Sequence, residues 1–319
     1  MKIVILERNT VGRDVPVDCL NELGEVIIYP NTLQDEVEDR VSDADIIIAN
    51  KSPLNEKTLK NAAKVKLICE FATGYDNVDL DYCRKRGIKV ANVVNYSTAS
   101  VAQHTFALCF YILEKMRHYD EYVKSGEYAA QSGFSNFDIP FTELEGKTWG
   151  IVGMGNIGRR VAQIASAFGC KVIFYSASGN SSCTDHERVD FDTLLKTSDF
   201  LSLHCPLSDK TRDLIDLDAL KRMKRTAILI NVARGAVVND SDLFTALMND
   251  MIAGAGLDVT GTEPMKDENP LSKIRESNKL IITPHLAWAS TEARNRVVEE
   301  TYKNIEAFLS GKERNIVNP

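Results

Sequence analysis

The run Trp149-Gly150-Ile151-Val152-Gly153-Met154-Gly155-Asn156-Ile157-Gly158 constrains this chain more than any other stretch. An apolar β-like segment feeds a Gly-x-Gly-x-x-Gly turn, after which Ile157, Val161, Ile164, Ala165 and Phe168 recur at helical spacing. In such a strand–turn–helix, backbone N–H groups and the positive end of the helix reach a pyrophosphate, so the natural ligand is a dinucleotide. Alone, the glycine pattern is compatible with a plain tight turn. The context carries it: a second strand-like run, Lys171–Tyr175, stands where a βαβ unit needs one.

The same alternation runs through most of the chain. Lys2–Leu6, Glu25–Tyr29, Asp45–Ala49, Lys66–Phe71 and Ile88–Val93 read as strands, with helical stretches at Val15–Leu23, Asn55–Ala63 and Asp79–Arg86. Ser100–His118 reads as one long helix, and the polar, poorly periodic stretch Tyr119–Gly146 as an arm. Strand candidates resume at Thr148–Val152, Lys171–Tyr175, Phe200–His204, Thr226–Asn231, Ala253–Asp258 and Leu280–Thr283. Strand–helix alternation of this kind implies an α/β protein with two doubly wound parallel-sheet domains. The helical run Thr291–Leu309 begins after the second sheet is complete, which assigns it back to the first. The expected domains are therefore 1–99 with 290–319, and 100–289, with a ligand-binding cleft between them.

Composition excludes several classes. Lys and Arg number 38 against 45 Asp and Glu, a net charge of −7 with no basic block, which argues against nucleic acid or an anionic membrane as partner. The apolar run at the N-terminus is too short for a secretory signal and no segment is long enough to span a bilayer, so a cytoplasmic location is expected. Seven scattered cysteines without a Cys-x-x-Cys pair, and five histidines without ligand spacing, predict reduced thiols and no metal.

Three strand-end positions carry reactive side chains: Arg234 in Asn231-Val232-Ala233-Arg234-Gly235, Glu263 in the segment Asp258–Pro264, and His285 after Thr283-Pro284. Each follows an apolar strand, so all three gather on the side of the sheet where a dinucleotide lies. Hydride exchange between a nicotinamide and a 2-oxo acid needs a cation for the substrate's oxygens and an acid for the nascent alkoxide. Arginine supplies a planar bidentate clamp, and histidine a proton near neutral pH. A neighbouring carboxylate holds the imidazole and favours its charged form. Read singly, Arg234 fits a surface ion pair, Glu263-Pro264 plain turn chemistry and His285 a loop histidine.

In combination, the glycine turn, Leu203-His204-Cys205-Pro206-Leu207, Asn231–Gly235, Asp258…Glu263-Pro264 and Thr283-Pro284-His285 resemble the D-isomer-specific 2-hydroxyacid dehydrogenase family over nearly the whole chain. Phe71–Asp79, Tyr96–Thr105 and His285–Ser290 are most similar to its glycerate dehydrogenase (hydroxypyruvate reductase) branch. The resemblance implies a Rossmann cofactor domain plus a flavodoxin-like substrate domain. It implies Arg234 as substrate clamp, Glu263 as the partner of the histidine and His285 as proton donor. It also implies that Thr73 and Gly74 receive the substrate carboxylate and that Lys51 and Trp288 border the substrate, although a solvated lysine and an interface tryptophan are the commoner fates of such residues. For the cofactor it implies Gly153, Gly155, Asn156, Ile157 and Gly158 at the pyrophosphate, Cys205 and Pro206 near the adenosine, Asp258 near the nicotinamide amide, and Val232 and Ala233 as further cofactor contacts.

One departure concerns cofactor choice. Members that prefer NAD carry an acid after the second strand, where this chain reads Tyr175-Ser176-Ala177-Ser178-Gly179-Asn180. No carboxylate repels a 2′-phosphate, yet the nearest downstream arginine is Arg188. NAD is expected, NADP stays open, and Ser176 makes the ribose contact with either. The function expected is reduction of a small 2-oxo acid such as hydroxypyruvate or glyoxylate to the D-2-hydroxy acid. The alternatives are a D-lactate or phenyllactate-type dehydrogenase and a non-catalytic, dinucleotide-sensing corepressor-like regulator. A formate dehydrogenase is disfavoured because its relatives carry an amide where Glu263 stands. The long helix and the arm resemble the family's dimerisation region, which implies a homodimer.

Overall fold

The computed structural model describes all 319 residues. They divide into two compact units, residues 1–97 with 289–319, and residues 98–288.

The smaller unit is built on five parallel strands, β1 (Lys2–Ile5), β2 (Glu25–Ile28), β3 (Ile46–Ala49), β4 (Leu67–Glu70) and β5 (Lys89–Ala91), in the order β2-β1-β3-β4-β5. That is the flavodoxin-like order. The β3 and β4 segments are buried at every position, as continuous apolar runs covered on both faces must be. Short helices α1 (Val37–Val41), α2 (Glu56–Leu59) and α3 (Leu80–Arg86) connect the strands. Asn55 caps α2 in a reciprocal capping box, and Asp79 caps α3 before Gly87 ends it in the left-handed region. The helix expected at Val15–Leu23 is instead a 3₁₀ turn over Asp18–Glu22. Only Leu20 of that turn is buried, too little apolar surface to sustain a longer helix. The C-terminal helix Thr291–Leu309 belongs to this unit. Beyond it, Val317 N–H donates to Val90 O (2.8 Å), Val90 N–H donates to Asn318 Oδ1 (2.7 Å) and Asn318 Nδ2 donates to Ile88 O (2.8 Å), so the tail covers the free edge of β5.

The larger unit opens with α4 (Thr98–Leu113), α5 (Met116–Lys124) and α6 (Glu127–Ala130). The single helix expected over Ser100–His118 breaks at Lys115, whose φ of +54° lies in the left-handed region. The expected arm carries α5 and α6 before its irregular remainder, and neither helix buries a residue. Seven parallel strands follow: β6 (Thr148–Val152), β7 (Lys171–Tyr175), β8 (Glu187–Arg188), β9 (Phe200–Leu203), β10 (Ile228–Asn231), β11 (Gly254–Leu257) and β12 (Leu280–Ile282). Their order is β12-β11-β10-β9-β6-β7-β8. The sheet has one strand more than the six expected, because the exposed pair Glu187–Arg188 adds to the edge beside β7. Helices α7 (Asn156–Ala167), α8 (Phe191–Thr197), α9 (Leu217–Arg222) and α10 (Asp240–Met248) complete the crossovers. A Cβ at Gly256 would stand 2.8 Å from Leu108 Cβ, which is why α4 can lie directly on β11. No helix is long and apolar enough to cross a membrane.

Candidate active site

Strand order reverses between β6 and β9, so the chains leaving those strands separate at their carboxyl ends, where doubly wound sheets bind ligands. Gly153 follows β6 with φ +94°, and a Cβ there would meet Cys205 N and His204 O at 2.9 Å. A Cβ at Gly158 would lie 2.2 Å from Gly153 O. Gly155 stands at the N-cap of α7 with no side-chain capping bond, no acid occupies the first turn, and a Cβ at Gly155 would meet nothing. This cradle of backbone and helix terminus fits a dinucleotide's pyrophosphate. Ser176 lies just past β7, nearly buried, and its hydroxyl donates to Asn180 O at 3.1 Å. No carboxylate stands in the loop 176–182, while Arg159 of α7 donates to Ser182 Oγ at 2.9 Å, a cation that the reading of the linear sequence did not bring to this loop. Beyond β9, Cys205 is buried and Pro206 exposed. The His204 ring shares Ser202 Oγ with Trp149 Nε1 (3.0 and 2.9 Å), and burial pushes its pKa down to about 3.

Arg234 follows β10. Asn231, fully buried at the end of that strand, shapes the turn: its Oδ1 accepts Ala233 N–H and its Nδ2 donates to Arg234 O, both at 3.0 Å. A Cβ at Gly235 would lie 1.7 Å from Thr260 O, so only glycine lets this turn press on the loop after β11. In that loop Thr260 N–H donates to Glu263 Oε1 at 3.2 Å, and Glu263 Oε2 meets His285 Nδ1 at 2.6 Å. A carboxylate there fixes Nδ1 as the donor and leaves Nε2 as the ring's other nitrogen. Arg234, Glu263 and His285 line one pocket with Leu207, Gly235 and Thr260. The histidine and glutamate side chains are 31 and 34% exposed, partly desolvated yet open to a solute.

His285 sits at φ +53°, a conformation that an imidazole-bearing residue adopts only when its surroundings impose it. Asp258 imposes it. Its backbone carbonyl accepts His285 N–H (2.8 Å), its Oδ1 accepts the Thr283 hydroxyl (2.6 Å) and Leu286 N–H (2.9 Å), and its Oδ2 accepts Ala287 N–H (2.8 Å). Expected at the nicotinamide end, this carboxylate is 1% exposed and engaged on the loop that carries the histidine. Trp288 Nε1 donates to His285 O at 3.0 Å. His104 of α4 stands 2.9 Å from Thr283 Oγ1, and its burial outweighs nearby Asp258 to lower its pKa. The sequence reading missed these supporting roles of Asn231, Thr260, Thr283 and His104; those of Thr283 and His104 depend on contacts between distant segments, while those of Asn231 and Thr260 lie within single turns whose shape the residue types alone do not reveal.

In the smaller unit, Lys51 and the Thr73–Gly74 turn leave the carboxyl ends of β3 and β4. The Thr73 hydroxyl donates to Val93 O and Asn92 Nδ2 donates to Thr73 O, both at 2.7 Å, which fixes the turn. No cluster of three or more His, Cys, Asp or Glu side chains is placed to hold a metal ion, and all seven cysteines are free.

A Rossmann-ordered sheet, a phosphate-binding glycine turn and an acid–base pair beside an arginine define a nicotinamide-dependent oxidoreductase. The chain belongs to the D-isomer specific 2-hydroxyacid dehydrogenase family, whose NAD-binding domain matches residues 106–287. It is 37% identical to the hydroxypyruvate reductase of Blautia hydrogenotrophica over 100% of both chains. It is 38% identical to the glycerate dehydrogenase of Methylorubrum extorquens, over 99% of this chain and 98% of that one. Among solved structures it is similar to a D-lactate dehydrogenase from Aquifex aeolicus complexed with NAD and lactic acid, with a TM-score of 0.87, 31% identity, and coverage of 100% of this chain and 99% of that one.

Proposed function

We propose that this protein reduces a small 2-oxo acid, hydroxypyruvate or glyoxylate, to the D-2-hydroxy acid. The observation that carries the reading is the 2.6 Å pair of Glu263 and His285 in the pocket that Arg234 also lines. Gly153, Gly155, Asn156, Ile157 and Gly158 would hold the pyrophosphate, Ser176 a ribose, Cys205 and Pro206 the adenosine, Asp258 would lie near the nicotinamide amide, and Val232 and Ala233 would add further cofactor contacts. When bound, the reduced nicotinamide supplies a hydride. Arg234 grips the substrate's carboxylate and polarises its carbonyl oxygen. His285 delivers a proton from Nε2 to the oxygen that becomes the hydroxyl, while Glu263 holds Nδ1 and stabilises the imidazolium before transfer. Thr73 and Gly74 take the substrate carboxylate through backbone amides, with Lys51 and Trp288 at its border.

The working form is a homodimer in a cytoplasmic setting. On the arm, Phe134, Phe137 and Phe141 are 90, 85 and 54% exposed, apolar surface of the kind a twofold partner covers. The free thiols suit a reducing compartment.

The test is a panel of hydroxypyruvate, glyoxylate, pyruvate and phenylpyruvate, each assayed with NADH and with NADPH. Highest kcat/KM on hydroxypyruvate or glyoxylate is expected. Preference for pyruvate or phenylpyruvate replaces the substrate assignment, and cofactor binding without turnover replaces the enzyme by a sensor.

A further inference from the structure

The carboxyl end of the five-stranded sheet holds ionisable groups that the reading above leaves unused. There β3 is the middle strand, flanked by β1 and β4. The chain leaving it, Asn50-Lys51-Ser52, is held on one flank by a carboxyl group and on the other by an amide that a second carboxyl group engages. On the β1 side, Glu7 accepts Asn50 N–H at 2.8 Å and Lys51 N–H at 3.1 Å, as an ionised carboxylate does well. On the β4 side, Glu70 is the last residue of the strand and completely buried. Its Oε1 accepts from Asn77 Nδ2 at 3.2 Å, and the same nitrogen donates to Ser52 O at 3.0 Å. Asn77 follows Gly74 by three residues, and its own carbonyl accepts Leu54 N–H at 2.9 Å. Glu70 Oε2 and Ser52 Oγ are enclosed without partners, an arrangement that costs stability relative to an apolar side chain of the same size.

We propose that Glu70 is a positioning residue for the substrate's carboxylate, acting through Asn77 to fix the Lys51–Ser52 loop against the Thr73–Gly74 turn. This rests on the reading of Lys51, Thr73 and Gly74 as the residues that receive that carboxylate. The groups facing Glu70 are Asn77, Glu7 and Lys51. Burial pushes the carboxyl up to about 8, the Asn77 hydrogen bond opposes the rise, Glu7 adds to it and Lys51 counters it. At neutral pH Glu70 therefore keeps its proton and adds no charge behind Lys51. Above about pH 8 its negative charge appears there and opposes an incoming anion.

The experiment uses the full chain with Glu70→Gln, which keeps an acceptor for Asn77 without a titrating proton, and Glu70→Met, which keeps the bulk alone. With hydroxypyruvate and saturating NADH, Glu70→Met is expected to raise KM several-fold at pH 7 with kcat little changed, and Glu70→Gln to restore it. The KM of the parent climbs several-fold between pH 7 and pH 9.5, and that of Glu70→Gln climbs less. An unchanged KM in Glu70→Met overturns the positioning role, and identical alkaline climbs in parent and Glu70→Gln overturn the charge effect. Melting temperature without substrate gives a separate readout. A carboxyl whose pKa rises on folding makes the fold lose stability as pH rises from about 4.5 to about 8 and stay level above, so the parent's Tm must fall relative to that of Glu70→Gln across that window. A constant difference overturns the buried, proton-bearing state. If the parent turns over no 2-oxo acid while the Tm difference follows this course, the functional reading fails and the buried lock stands.

Discussion

His285 Nδ1 and Glu263 Oε2 approach to 2.6 Å although 22 positions separate them in the chain and each leaves the sheet after a different strand. Glu263→Gln keeps the side chain's shape and removes the charge that stabilises an imidazolium. We expect kcat for reduction to fall by roughly 10²-fold. Steady-state kinetics with hydroxypyruvate check this, and an unchanged kcat removes Glu263 from the acid–base pair.

Arg234→Lys retains a positive charge and loses the fork that matches a carboxylate. The expected loss is roughly 10²-fold in kcat/KM, about 3 kcal/mol of transition-state stabilisation. Steady-state kinetics with hydroxypyruvate decide it, and a loss below threefold argues for a structural ion-pairing role.

Asp258→Asn replaces an acceptor of three hydrogen bonds by a side chain with a single acceptor oxygen. The loop that presents His285 should loosen, lowering stability by about 1–3 kcal/mol and kcat together. Thermal melting and turnover are measured on the same preparation. A normal kcat in a variant of lowered Tm separates the fold from the catalytic geometry.

Ser176→Asp places a carboxylate at the ribose position, in a loop that has none. Repulsion of a 2′-phosphate should lower the NADPH-to-NADH ratio of kcat/KM at least tenfold, about 1.4 kcal/mol or more. An unchanged ratio moves the cofactor's ribose elsewhere.

His204 makes stability depend on acid. Burial lowers its pKa from 6.5 to about 3, so between those values the unfolded chain binds a proton that the folded chain rejects. Stability from this group is whole above about pH 6.5, is lost progressively as pH falls, and is gone near pH 3, a change on the order of a few kcal/mol. Urea unfolding of the parent and His204→Gln between pH 4 and 7 reads it directly: the slope of the variant should be shallower.

Strand positions were readable because parallel strands covered on both faces are short unbroken apolar runs, and Thr148–Val152 and Lys171–Tyr175 lie where those runs put them. Glu187–Arg188 gave no such signal, being polar, exposed and held by β7 alone. The break at Lys115 was equally silent: Glu114-Lys115 are good helix formers, and a left-handed residue with a side chain leaves no compositional mark. Arg234, Glu263 and His285 stood out because each is a reactive group directly after an apolar run. Asp258 directly follows a strand as well, yet the hydroxyl and amide donors it holds belong to the loop after the next strand, and Glu70 gave even less warning because nothing near it in the linear text shows that Ser52 and Asn77 will meet.

The tail that runs beside β5 has a practical consequence. Val317 and Asn318 occupy the main-chain groups of Ile88 and Val90, which otherwise form an open border ready to accept a strand from a neighbouring molecule. Trimming residues 315–319 therefore invites aggregation more than it reduces catalysis, and a purification tag is better fused at Met1, whose side chain already faces solvent.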